Sequence, residues 1–337
     1  MSEVLRLGVV GAGAVLQVAH LPAIKKLKTI TVTALCDSDL PKARALAGRY
    51  GIPNIYDDIE DLLQHEELDA ILICTPNHLH EPHILAALSA GLHVFVEKPI
   101  ALSAQSAQRI VRAAERSERV VMVGMNHRYR PDAQAVRSFL QSGELGEIDS
   151  MRAAWYMARP ARAALGWRQR RNESGGGAML DLGLTMLDLS LWLAGEPVPS
   201  RVSASLSGGG RGERGVEQAG SAFVVCDGGP AIYLDVTWRH VGEGEFFGVG
   251  VRGSKGSASL NPLRVWKEMH GSIHDVTPTG SAQRDSMYMA SFRAQWAHFL
   301  SALRGQTPGP DLQEQVTVLR VLDAIYRSAA DGREIAL

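Results

Sequence analysis

Apolar residues concentrate in short runs through the first third of the chain, at 5–10, 30–36, 70–74, 93–96 and 120–123. Helical periodicity fills the gaps, over 14–27, 41–50, 82–90 and 103–117. A run that is apolar at nearly every position is buried on both faces, so these strands are predicted to lie inside a layered sheet. Strands that alternate with helices pair in parallel through right-handed crossovers, the doubly wound pattern. Local punctuation agrees. Pro41 falls in the first turn of its helix, and Gly91 stands where a helix would end.

The pattern changes after about residue 128. A helix ends over 137–140 and a strand is predicted over 148–156. Gly175-Gly176-Gly177 then opens a helix over 178–193. Strand-like runs follow at 201–207, 221–226, 231–238, 246–251 and 255–260, with a flexible hairpin loop at 208–215. Helices over 291–303 and 312–329 close the chain. This half reads as a mostly antiparallel sheet with helices on one side. No internal repeat stands out.

The 337 residues are enough for two domains. A composition of 45% hydrophobic and 21% charged residues is that of a globular protein. The formal net charge of -1 argues against a nucleic-acid partner, which needs a basic face. The three cysteines, Cys36, Cys74 and Cys226, are far apart and form no Cys-x-x-Cys pair. They are expected to be buried thiols in a reducing compartment, with no disulfide framework and no metal site. No apolar run is expected to be long enough to cross a bilayer, and the N-terminus lacks the flanks of a signal peptide, so a cytoplasmic location is expected.

Two short stretches carry the candidate chemistry. The first is Gly8-Val9-Val10-Gly11-Ala12-Gly13-Ala14, a strand running into a turn and a helix. Glycine at Gly11 and Gly13 permits a tight turn and keeps a Cβ away from a pyrophosphate. The first helical turn, with Ala14, Val15 and Leu16, offers unpaired N–H groups and a positive dipole end. Leu16 stands where the usual motif has Gly or Ala, which predicts looser helix–strand packing. Asp37, at the end of the second strand, can accept both ribose hydroxyls and repels a 2′-phosphate. With no arginine beside it, NAD is favoured over NADP. The loop Thr75-Pro76-Asn77-His78-Leu79-His80 follows a central strand and should border the cofactor. There Asn77 and His80 can contact ribose or nicotinamide, or His80 caps the next helix.

The second stretch is Glu97-Lys98-Pro99, at the carboxyl end of another strand. An amine in a partly dry cleft can act as a base or a proton donor. In the later helix, Asp181, Thr185 and Asp188 are spaced to share one face, with Met179, Leu182, Met186 and Leu189 on another. A carboxylate at Asp181 also suits the first turn of any helix.

Taken in order, Gly11-Ala12-Gly13, His20-Leu21-Pro22-Ala23, Thr75-Pro76-Asn77 with His80, Glu97-Lys98-Pro99, and Gly175-Gly176-Gly177-Ala178 with Asp181 and Gly183 resemble the glucose-fructose oxidoreductase/inositol dehydrogenase (Gfo/Idh/MocA) family over nearly the full length. The resemblance implies an α/β protein with an N-terminal Rossmann domain (1–127) and a C-terminal α/β domain with a large open sheet (128–308). A last helix (309–337) would return to the Rossmann domain. It implies a nicotinamide-dependent dehydrogenase of sugars, inositols or polyols that self-associates through the open sheet as a dimer or tetramer. Lys98 would be the catalytic lysine and its bond to Pro99 cis; Asp181 would hold substrate; Glu97, Arg128 and the Trp167-Arg168 pair would border the cofactor or the sugar. Specificity would lie in 155–172 and on the sheet face. Members of the family carry His or Tyr where this chain has Thr185, whose hydroxyl does not titrate near neutral pH. Three readings follow: Lys98 transfers the proton alone with Thr185 as a hydrogen-bond partner, His127 or His240 substitutes, or the protein is an inactive NAD- and sugar-binding sensor.

Overall fold

The computed structural model describes residues 4–158, 166–209, 215–279 and 286–337. By its internal contacts the chain forms two compact units, Met1–Asn126 with Tyr288–Gln313, and His127–Met287 with Glu314–Leu337.

The first unit holds a sheet of six parallel strands, β1 (Leu5–Val10), β2 (Ile30–Cys36), β3 (Asn54–Tyr56), β4 (Ala70–Ile73), β5 (His93–Val96) and β6 (Val121–Val123), in the order β3-β2-β1-β4-β5-β6. All four residues of β4 are buried, as are the last three of β5, because helices cover both faces. Helices Leu40–Tyr50, His80–Ser89 and Ala104–Ser117 lie where periodicity predicts them. In register, Val10 pairs with Ile73 and Ile73 with Val96, so three neighbouring strands end together and their following loops leave one edge of the sheet.

The second unit holds nine strands: β7 (Ile148–Ala158), β8 (Val198–Ser207), β9 (Ala219–Asp227), β10 (Ala231–His240), β11 (Phe246–Gly253), β12 (Gly256–Leu260), β13 (Arg264–Met269), β14 (Ser272–Asp275) and β15 (Ile335–Ala336). Their order is β14-β13-β12-β11-β7-β10-β9-β8-β15, and β7 with β10 is the parallel pair among the described strands. In β10 every second residue is buried, the period of a sheet packed on one face. Helix Leu184–Leu193 packs on that face and is buried along its whole length.

Three expectations are corrected. The late helix that joins the first unit is Met287–Leu303, not the last one, because Phe292, Trp296 and Phe299 are inserted against Phe95 and His20. The last helix, Leu312–Asp331, belongs from Glu314 onward to the second unit, where Ser328 Oγ accepts from the Ala204 N–H and β15 pairs with β8. Finally, the helical run Arg171–Leu193 is long and apolar enough to span a bilayer by length and composition, but 94% of its apolar window is buried inside the fold. Of the predicted hairpin loop 208–215 and the segment 155–172, residues 210–214 and 159–165 lie outside the described residues.

Candidate functional site

The turn after β1 is shaped by two glycines with different reasons. Gly11 has φ +97°, and a Cβ there would lie 2.6 Å from the Cys74 carbonyl oxygen, so only glycine fits. At Gly13 the nearest atom to an added Cβ is that same oxygen at 3.8 Å, so the protein itself leaves the space open. A helical stretch begins at Ala14, and its first N–H groups have no acceptor within the helix. An open space beside unpaired N–H groups at a helix start fits the pyrophosphate of a dinucleotide. Leu16 is fully buried in a turn of wider, π-type spacing (Leu16–His20).

Asp37 directly follows β2, beside the glycine turn. Its Oδ2 accepts from the Ala12 N–H at 2.6 Å, which ties the end of β2 to the glycine turn. Its Oδ1 accepts from the Asp39 N–H at 2.9 Å and from Lys42 Nζ at 3.0 Å. Sequence reading looked for an arginine next to Asp37 and passed over Lys42, one turn into the following helix.

Thr75, Pro76 and Asn77 follow β4 in a half-buried loop, with Pro76 leading the short 3-10 turn Asn77–Leu79. His80 is 1% exposed, and its two ring nitrogens face the Pro99 carbonyl at 2.6 Å and the Thr75 carbonyl at 2.9 Å. Its expected place against ribose or nicotinamide is therefore corrected: both nitrogens face backbone carbonyls of the protein, and the neutral ring donates to one of them. Burial holds the imidazole below its usual range, against the opposing pull of those carbonyls and Glu97. Glu97 is likewise turned inward, its Oε1 2.7 Å from His20 Nε2. Lys98 is half-buried at the end of β5, and its bond to Pro99 is cis, as the resemblance implies.

In the second unit, the helix bearing Asp181 starts from a tightly packed glycine turn. Glu217, 7% exposed, accepts through Oε1 from the N–H groups of Gly177 (2.8 Å) and Met179 (3.0 Å) and from the Tyr326 hydroxyl (2.8 Å). A Cβ on Gly177 would lie 1.9 Å from the Glu217 carbonyl oxygen, which explains the glycine. Sequence reading missed Glu217, forty residues downstream of the N–H groups it caps. Asp181 is half-buried in the π-spaced turn Met179–Gly183. Thr185 is 4% exposed and its hydroxyl lies 3.4 Å from the Asp181 carbonyl oxygen, a long back-bond within the helix.

Arg128 is not available to cofactor or sugar. Its Nε and Nη2 hold the Asp188 carboxylate at 2.7 and 2.6 Å, and its Nη1 meets Glu314. Gln315 adds a donor to Asp188 at 2.9 Å. Burial would lower the guanidinium pKa, but Asp188, Glu314 and Glu196 more than offset that and raise it. Burial also pushes Glu196 up to about 7. Asp188, expected to share a working face with Asp181 and Thr185, thus serves this ion cluster. Trp167 and Arg168 lie in a short 3-10 turn, with the Arg168 guanidinium 4.6 Å from the Trp167 ring centroid. His127 packs against Trp155 and Phe247, with centroids 5.1 and 4.9 Å away. His240 packs 5.6 Å from Tyr156, whose hydroxyl donates to Asp235. Burial pushes the Cys36 thiol up to about 12 and the Cys226 thiol to about 11, and it raises Cys74 too, so these are inert core groups.

Comparison with known proteins agrees with this architecture. A family described as "Oxidoreductase family, NAD-binding Rossmann fold" matches residues 5–125, and "GFO/IDH/MocA C-terminal domain" matches 133–259. The chain is 27% identical to D-glucoside 3-dehydrogenase of Escherichia coli (strain K12), over 100% of this chain and 98% of that one. It is 31% identical to a protein of Amycolatopsis mediterranei (strain S699) named as a candidate UDP-kanosamine synthase oxidoreductase subunit, over 98% of this chain and 97% of that one. The crystal structure of GenD2 from gentamicin A biosynthesis, in complex with NAD, superposes with a TM-score of 0.86 at 26% identity, covering 100% of this chain and 97% of that chain. With both halves matched and the relatives aligned end to end, the chain belongs to the Gfo/Idh/MocA family of oxidoreductases with an NAD-binding Rossmann fold.

Proposed function

We propose that the protein is a dehydrogenase of a CH–OH group in a sugar, inositol or related polyol, with Lys98 in proton transfer. The observation that carries this reading is the common edge of the first sheet. There β1 delivers the glycine turn, β4 the Thr75 loop and β5 Lys98, three strand ends in register. Bound NAD supplies the hydride acceptor. Gly11 and Gly13 keep side chains off its phosphates, Ala14, Val15 and Leu16 offer backbone N–H groups, and Asp37 accepts from ribose. As the carbinol C–H bond gives up hydride, its hydroxyl proton passes to the amine of Lys98 and a carbonyl forms. Asp181 accepts a hydrogen bond from a substrate hydroxyl. Thr185 serves as its structural neighbour and not as a base, consistent with its buried hydroxyl beside the Asp181 carbonyl. Self-association through the outward sheet face belongs to the same reading, supported by exposed Tyr233, Phe246 and Trp266 on β10, β11 and β13.

The test is NADH formation from NAD over a panel of glucosides, free sugars, inositols and alditols, run in both directions. Lys98→Met should lower turnover by about 10²–10⁴-fold while NADH binding stays within about threefold. Tight NADH binding with no turnover of any panel member would favour the sensor reading. Full activity in Lys98→Met would remove the lysine from the chemistry.

A further inference from the structure

Two histidines are buried on either side of the Glu97-Lys98-Pro99 turn, and neither is needed to explain cofactor binding. His20 is fully buried among Phe95, Phe292 and Trp296, all edge-on to its ring at 5.4, 5.0 and 5.9 Å between centroids. The Trp296 indole N–H donates to His20 Nδ1 at 3.1 Å. Indole nitrogen is a donor only, so Nδ1 accepts and the ring proton is left on Nε2. Nε2 then donates to Glu97 Oε1 at 2.7 Å. The carboxylate also has a shaped seat, because a Cβ on Gly124 would lie 2.8 Å from Glu97 Oε1. On the other side, His80 reaches the Pro99 carbonyl at 2.6 Å.

We propose that His20 and His80 are positioning residues for Lys98, gripping the residue before it by its carboxylate and the residue after it by its carbonyl, with Trp296 fixing the His20 proton that makes the first grip. The same rings also join Lys98 to the cofactor loops. His20 ends the turn Leu16–His20 that follows the glycines, and His80 also faces the Thr75 carbonyl. A lysine has four rotatable side-chain bonds, so its amine is aimed only if its backbone is held. Misplacing a catalytic group by about 1 Å can cost about 10²-fold in rate.

The proposal rests on the dehydrogenase reading for its activity readout, so the experiment carries a second readout that does not. His20→Leu removes the donor to Glu97, whereas His20→Gln keeps an N–H close to the Nε2 position. Expected for His20→Leu is a fall in kcat of about 10–100-fold with NADH Kd within about threefold, and for His20→Gln recovery of kcat to within about fivefold of wild type. In parallel, Lys98 is dimethylated and its methyl resonance followed by NMR, with Lys98→Arg giving the assignment. The resonance should shift or broaden in His20→Leu and return in His20→Gln. If His20→Leu unfolds, Trp296→Phe keeps an aromatic ring and removes the N–H, and it should disturb the same resonance. A folded His20→Leu with wild-type kcat and an unmoved Lys98 resonance overturns the proposal. So does a Trp296→Phe variant, taken in its place, with an unmoved resonance. No turnover in any variant, together with a Lys98 resonance that still responds to His20, would sink the dehydrogenase reading and leave the positioning intact.

Discussion

Gly177→Ala is a severe test of how the Asp181 helix is held. The new methyl would sit 1.9 Å from the Glu217 carbonyl oxygen and 2.9 Å from its carbonyl carbon and amide nitrogen. These are backbone atoms, and the segment cannot swing away cheaply. Glu217 Oε1 is tied to two N–H groups of the turn and to Tyr326, and its carbonyl accepts from the Ala178 N–H at 3.0 Å. Forcing a methyl into a packed site costs about 1–3 kcal/mol. Losing one hydrogen bond to a buried charge costs about 1.5–3 kcal/mol more. Together they come to about 2.5–6 kcal/mol, a large share of the stability of an ordinary domain. Urea unfolding followed by circular dichroism measures it. Gly48→Ala is the control: Gly48 lies inside helix Leu40–Tyr50 with nothing within 4 Å of an added Cβ, so it should gain about 0.5–1 kcal/mol. A Gly177→Ala variant that unfolds within about 0.5 kcal/mol of wild type would refute the argument from close approach.

Other expectations follow from the same geometry. Gly13→Ala should leave the melting temperature nearly unchanged but weaken NADH binding by at least about tenfold in titration, since the open space it fills is reserved for phosphate; Gly11→Ala should lose stability as well. Arg128→Met should cost about 3–5 kcal/mol in urea unfolding, because Asp188 is 2% exposed and would be left without its cation. Adding Asp188→Asn should recover part of that loss. Acid should destabilise the fold through His83, which burial holds at about 4, and through His80 and His93, which burial also lowers. The unfolded chain binds these protons first, so the stability is complete above about pH 6.5 and is lost as pH falls toward 4. His83 contributes about 2 kcal/mol after its partial exposure is allowed for, and His83→Asn should flatten the pH profile of unfolding by that amount.

The first sheet was legible because β4 and β5 are apolar at nearly every position and stand between clear helical repeats. The edges of the second sheet were not. All four residues of β14 are exposed and β15 has only two, so neither leaves an alternation to read. In the site, Gly11 and Asp37 announced themselves through local spacing, since the turn and the end of β2 are set by short-range geometry. Arg128 misled because its partners, Asp188 and Glu314, are 60 and 186 positions away and nothing near it signals an ion cluster. His20 was visible within a motif, yet its role depends on Glu97 and on Trp296, 276 residues downstream.

The insertion of Tyr288–Gln313 into the first unit has a consequence for biosynthesis. The nucleotide-binding half is the first to leave the ribosome, but the aromatic wedge that finishes its core emerges roughly 160 residues later. At synthesis rates of about 5–20 residues per second that delay is on the order of ten seconds. During it, Phe95 and its neighbours lack their cover. A nascent chain arrested before residue 288 should therefore be a client for chaperones and not a self-standing domain.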